Sequence, residues 1–212
     1  MSFENDIHKY AEQPLTSQLL MDLLREYYRP YDKINELVKK KTLIKIRRGL
    51  YIVGQNVRSI NPEPSLVSNH LYSPSYVSMD TALSHWGLIP ERVFEITCCT
   101  TRLNKKFKTP IGTFSYTNIP LPYYSFGIEK LSLTPKQTIL IGSPEKALCD
   151  KIITTSGILF RSKKQVLEYL TEDLRIDLDT LSSLNHTEIT NWLPDCPKKS
   201  SIELLIKTLA EL

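Results

Sequence analysis

Tyr31-Asp-Lys-Ile-Asn-Glu-Leu-Val-Lys-Lys-Lys-Thr-Leu-Ile-Lys-Ile-Arg-Arg-Gly-Leu-Tyr-Ile-Val53 reads as an amphipathic helix running into a two-stranded ribbon with a basic tip. Tyr31, Ile34, Leu37 and Val38 fall on one side of a helical wheel, while Asp32, Lys33, Glu36, Lys39 and Lys40 fall on the other. From Leu43 the period becomes two. Ile44 and Ile46 alternate with Lys45 and Arg47, and Gly49 supplies the positive φ of a tight hairpin before Leu50-Tyr-Ile-Val53. This outline is that of a winged helix, with Lys45 and Arg47 expected on one face of the ribbon and Arg48 at its tip.

Seven cations in this stretch (Lys33, Lys39, Lys40, Lys41, Lys45, Arg47, Arg48) stand against two anions, Asp32 and Glu36. Such an excess suits a phosphate backbone. Lys33, Asn35, Lys39, Lys40 and Lys41 are the candidate contacts from the helix and its end, and Lys45, Arg47 and Arg48 those from the wing. A solvated cationic face is the competing reading, since Asp32 and Glu36 would repel DNA.

Upstream, Leu15, Leu19, Leu20, Leu23, Leu24 and Tyr27 recur at helical spacing after a Thr16-Ser17 cap, and the pattern ends at Arg29-Pro30. Downstream, Pro62, Pro64 and Pro74 surround a short helix, Ser65 to Leu71, and mark a boundary. The expected organisation is therefore α/β (α+β): a winged helix-turn-helix over 1–54, a linker over 55–75, and a mixed α/β domain with a helical tail over 76–212.

In that second region Ser78 is expected to cap a helix from Met79 to Trp86 ended by Gly87. Val93–Thr101 reads as a strand, Phe107–Tyr116 as a hairpin-like segment broken at Pro110-Ile-Gly112, and Thr138–Ile141 as a further strand. Ser143-Pro144-Glu145 then signals a helix to about Ile153. Ser162 with Gln165, and Ser200 with Glu203, have capping-box spacing.

Across 212 residues the net charge is +4 and the hydrophobic fraction 41%. This allows a real core and does not by itself single out nucleic acid. Residues 1–60 carry +4, 61–150 carry +1, and 151–212 carry −1. No apolar run approaches the ~20 residues of a membrane span and no leader pattern precedes the first element, so no membrane and a cytoplasmic location are expected.

Cys98, Cys99, Cys149 and Cys196 form no C-x-x-C pair and are expected to be buried and reduced, without a metal. His85 beside Trp86 is expected to be a packed structural histidine. Phosphate-cradling motifs and a nucleophile elbow are missing. Lys146 and Asp150, at i,i+4, are expected as a surface ion pair. The carboxylates Asp80, Glu91, Glu95, Glu145 and Asp150 are too dispersed to suggest a metal site. The aromatic residues Tyr116, Tyr123, Tyr124 and Phe126 favour core packing over recognition. These readings point away from an enzyme and from any cofactor.

Five segments together resemble the AbiEi-like antitoxins of bacterial type IV (abortive infection) toxin–antitoxin systems. They are Leu43-Ile-Lys-Ile-Arg-Arg-Gly-Leu-Tyr51, Tyr76-Val-Ser-Met-Asp-Thr-Ala-Leu-Ser-His-Trp-Gly-Leu-Ile-Pro90, Thr100-Thr-Arg102, Thr109-Pro-Ile-Gly-Thr-Phe-Ser-Tyr116 and Ser143-Pro-Glu-Lys-Ala-Leu-Cys-Asp150. The resemblance implies a transcriptional regulator that represses its own operon by binding operator DNA through Lys33, Lys39, Lys40, Lys45, Arg47 and Arg48. It also implies a second domain that counters a nucleotidyltransferase-like toxin, with the 78–87 and 144–150 motifs as scaffold. The helix-turn-helix is compressed to Tyr28-Arg-Pro30 between its helices, leaving a third helix either absent or within residues 3–12. An alternative is a protein-interaction module whose degenerate winged helix binds no DNA.

Overall fold

The computed structural model describes residues 7–57 and 60–212. Within them the chain is a mixed α/β protein with two sheets. A 3-10 turn at Ile7–Tyr10 leads to β1 (Leu15–Thr16), α1 (Ser17–Leu23), α2 (Pro30–Lys39), β2 (Leu43–Arg47) and β3 (Leu50–Val53), with sheet order β1-β3-β2. Thr16 caps α1 by accepting the amide of Leu19 at 3.2 Å. Leu15, expected in that helix, pairs instead with Tyr51. In the 3–12 segment the described part is the single 3-10 turn, and residues 1–6 lie outside the described residues.

Leu20, Leu24, Ile34 and Leu37 close a small core over Ile7, Leu15, Leu43 and Val53. Tyr31, placed on the apolar stripe by periodicity, is 65% exposed. At position N2 of a helix beginning with Pro30 it lies before the stripe that Ile34 and Leu37 turn inward.

The second sheet has six strands: β4 (Ser75–Val77), β5 (Glu95–Thr100), β6 (Lys105–Thr109), β7 (Gly112–Asn118), β8 (Ile128–Thr134) and β9 (Gln137–Gly142), in the order β6-β7-β5-β4-β9-β8. Parallel pairs β5/β7 and β4/β9 sit inside antiparallel edges. α3 (Pro64–Leu71) buries Leu66, Val67 and Leu71 in the larger core, so residues 55–75 include a packed helix as well as connecting chain. Tyr116 donates its hydroxyl to the Ser68 carbonyl at 2.8 Å, which places α3 on the Cys98/Tyr116 face.

The opposite face receives α5 (Pro144–Thr154), capped by Ser143 accepting the Lys146 amide at 3.2 Å. α4 (Met79–His85) packs on α5 and β5, and Gly87 ends it with a φ of 74°. Helices α6 (Lys163–Glu168), α7 (Leu178–Ser182), α8 (His186–Trp192) and α9 (Lys199–Leu209) form the helical tail. Ser162 caps α6 as its spacing predicts. Ser200 caps nothing: α9 starts one residue earlier, after Lys198 in the left-handed region.

Ile46, Leu50 and Ile52 belong to the larger core, whereas Leu43 and Val53 belong to the smaller one. The β2–β3 ribbon is thus the wall that both cores share.

Candidate nucleic-acid interface

Along α2, Asn35, Lys39 and Lys40 are exposed, and Lys41 is exposed where a φ of 58° turns the chain out of the helix. Lys33 is different. Its ammonium lies 5.3 Å from the Tyr27 ring centroid and 3.3 Å from Glu36, which also pairs with Lys40 at 2.6 Å. One carboxylate therefore holds two of the candidate cations. Lys40 and then Lys33 draw the Glu36 carboxyl below its usual range. Asp32 pairs with Arg29 at 3.8 Å. The Arg29–Asp32 and Lys40–Glu36 pairs are exposed and weak, whereas the Lys33 side chain is only 15% exposed and so is not presented to a ligand as the sequence pattern suggests.

On the ribbon, Lys45, Arg47 and Arg48 are exposed. Gly49 closes the turn at a φ of 88°. Lys45 and Arg47 do not share a face, because the register slips between them: Lys45 stands opposite Tyr51, but Arg47 stands opposite Leu50. Cross-strand partners project to the same side, so Lys45 leaves with Tyr51 on the side of α1 and α2. Arg47 leaves with Leu50 on the side of the larger lobe. The extra residue, Ile46, goes into the larger core. Strict alternation hid this bulge.

Six exposed cations, Lys39, Lys40, Lys41, Lys45, Arg47 and Arg48, thus follow the chain from the end of α2 along β2 to its turn, divided between the two sides of the ribbon at the Ile46 bulge. At ~3.3 Å per strand residue, β2 from Leu43 to Arg47 covers about 13 Å, comparable to several base-pair steps of duplex. Chemically, Lys39, Lys40, Lys41 and Lys45 can neutralise phosphates on the helical side, and Arg47 phosphates on the other.

No protein-family model matches the chain, and no curated protein is significantly similar to it in sequence.

Other sequence-predicted groups lie elsewhere. Lys146 and Asp150 are fully buried, correcting the surface pair: Nζ is 3.2 Å from Oδ1. Asp150 also accepts the hydroxyls of Tyr76 and Ser78, both at 2.7 Å, and of Tyr123 at 3.1 Å. Lys146 donates to the Tyr123 carbonyl at 2.9 Å and sits 3.2 Å from that ring's centroid. Ser78 consequently leaves the amides of α4 uncapped by its side chain. Burial, and then the Asp150 charge, push the Tyr76 and Tyr123 hydroxyls well up. The network is sealed by four different segments and has a scaffold's geometry.

Asp80, Glu91 and Glu95, dispersed in sequence, converge with Asp173 and Lys151 around a cavity of about 510 Å³. Each of the three meets a cation: Lys151 at 2.7 Å for Asp80, Lys106 at 2.5 Å for Glu95, and Arg175 for Glu91. Glu145 is buried on α5, accepting the Asn185 amide at 2.9 Å. Among the described residues no three His, Cys, Asp or Glu side chains are grouped to hold a metal. All four cysteines are buried. His85 is exposed, with its ring edge against Trp86, rather than packed inside. Tyr116 and Tyr123 are core residues, and Tyr124 and Phe126 pack against that core. Among the described residues no helix is long and apolar enough to cross a membrane.

Proposed function

We propose that the protein is a double-stranded-DNA-binding autorepressor that also serves as the antitoxin to a nucleotidyltransferase-like toxin, in the manner of AbiEi-like antitoxins. The observation that carries the DNA-binding half is the run of exposed cations from Lys39 to Arg48. The element order supports a winged-helix reading: a 3-10 turn, β1, α1, α2, β2 and β3, with strand order β1-β3-β2. In this reading α2 enters the major groove while the ribbon turn follows a neighbouring strand, and Lys and Arg fix the register by neutralising phosphates. Asn35 is the side chain on α2 with an amide that can read a base edge.

The antitoxin half rests on the motif resemblance alone. Its test is co-expression with a nucleotidyltransferase-like gene adjacent to this one: the full chain restores growth, and failure to do so removes that half. For the DNA half, fluorescence anisotropy on a duplex taken from upstream of the gene reads the affinity. Saturable binding that weakens with salt supports the proposal, and salt-independent or absent binding rejects it.

A second reading, a protein-docking winged helix, is favoured by two observations. Tyr28 and Tyr31 are 95% and 65% exposed at the α1–α2 connection, and Glu36 holds two of the cations. It predicts capture of a protein partner that duplex DNA does not displace.

A further inference from the structure

A second cationic segment lies on the larger lobe. From Ile96 to Ile128 the sequence holds no Asp or Glu, yet it carries Arg102, Lys105, Lys106 and Lys108, all four exposed. Lys106 is engaged with Glu95 on the face that α5 covers. Arg102 and Lys105 turn to the other face. By register Lys105 stands opposite Tyr116, on the side that α3 and the β2–β3 ribbon occupy.

There the two cations are seated on rings. Arg102 lies 5.3 Å and Lys105 5.6 Å from the Tyr72 centroid, and Lys105 lies 5.1 Å from that of Phe107. Tyr72 and Phe107 pack on Tyr116 at 5.2 and 5.7 Å. Stacking of this kind fixes a long side chain while leaving its charge available to an anion.

The ribbon meets the far end of the same β6–β7 hairpin. Ile52 and Gln55 share a cleft of about 350 Å³ with Pro110 and Ile111 of the β6–β7 turn, with Glu63 as a bordering carboxylate. The bulge sends Arg47 toward the same lobe, and its charge acts on the Tyr116 hydroxyl against the upward push of burial.

We infer that the duplex contact continues from the ribbon turn onto the larger lobe, where Arg102 and Lys105 neutralise backbone phosphates beyond the groove that α2 enters. This rests on the DNA-binding reading above and deepens it. The bulge at Ile46 then has a function: it splits the wing's cations, giving Lys45 to the helical side and Arg47 to the bridge between lobes.

The test compares the full chain with R102Q/K105Q, the charge-keeping R102K/K105R and the ribbon variant K45A/R47A/R48A. Anisotropy is read between 50 and 200 mM salt on duplexes of roughly 25 and roughly 10 base pairs. Two lost phosphate contacts flatten the log–log salt slope of R102Q/K105Q on the long duplex by about 1.8, a change of about tenfold in relative affinity across that range. R102K/K105R keeps the slope, and the short duplex shows no difference between wild type and R102Q/K105Q.

Should R102Q/K105Q keep the wild-type slope on the long duplex while the ribbon variant loses it, the extension is wrong and the ribbon reading stands. Should wild type show no salt-dependent duplex binding, both fall. A slope change confined to single strands also overturns the inference. Lys105→Gln alone, with a thermal melt matching wild type, supplies the arm in which packing on Tyr72 is retained by Arg102, and a slope unchanged in it counts against Lys105.

Discussion

Lys146 and Asp150, one turn apart on α5, meet at 3.2 Å with neither side chain exposed to solvent. The pair is knitted into the larger lobe by hydroxyls from β4, from the start of α4 and from Tyr123. Removing one partner strands a buried charge, which is more damaging than losing the attraction itself. Lys146→Met should therefore destabilise the protein by about 3–5 kcal/mol, and Lys146→Met with Asp150→Leu by less than the sum of the single changes. Urea unfolding of the two single variants and the double variant measures this. Additive losses would show that the charges do not support one another.

The thiols give a second expectation. Burial pushes Cys98 up to about 12, and Cys196 likewise, and drives Cys99 and Cys149 upward as well. At pH 8 all four are thus protonated as well as covered, and the thiolate is the reactive form. An aromatic disulfide reagent should label none of them in the folded protein within minutes and all four in denaturant. Rapid labelling of one thiol under native conditions would show that its segment opens.

Gly54 joins β3 to the turn that follows, and a methyl group there would stand 1.8 Å from the Lys41 carbonyl oxygen. Its amide donates to the Thr42 carbonyl at 2.7 Å, so the close approach anchors the end of α2 to the ribbon. Gly54→Ala should cost at least about 2 kcal/mol and loosen the run of cations. Thermal unfolding reads the loss. A variant as stable as wild type would mean that the Lys41–Thr42 turn can move aside freely.

Glu36 sets the charge of the helix face. Because Lys40 and Lys33 lower its carboxyl pKa, the folded form holds a carboxylate to a more acid pH than the unfolded chain does. Its stabilising contribution is present above the unfolded value of 4.5 and disappears as pH falls through the lower folded value. Between pH 6 and 8 it should stay charged and repel phosphate. Glu36→Gln, freeing Lys40 in particular, should tighten duplex binding roughly two- to fivefold at low salt. An unchanged or weaker affinity would place α2 away from the DNA.

Much of the secondary structure was legible in local signals: Thr16 and Ser143 as caps, Gly49 and Gly87 in the left-handed region, and the period change at Leu43. Strands β4 and β8 were not. β4 is three residues long, behind Pro74, and β8 breaks its own alternation by a register shift between Ser132 and Thr134. The candidate interface was legible as composition but not as geometry, since a single bulge moved Arg47 to the opposite face from Lys45. The fate of Lys146 and Asp150 was hidden for a different reason. An i,i+4 pair looks the same on a wet face as on a buried one, and the partners that bury it come from Tyr76, Ser78 and Tyr123.

Whether the exposed cations meet a duplex is read from the salt dependence of binding. With about five phosphate contacts drawn from the Lys39–Arg48 run, log affinity should fall against log salt with a slope of about −4.5. The K45A/R47A/R48A variant should weaken binding to every duplex and flatten that slope by up to about 2.7. Equal slopes for wild type and variant would mean that these side chains do not meet the phosphates and that the protein does not bind DNA through its ribbon.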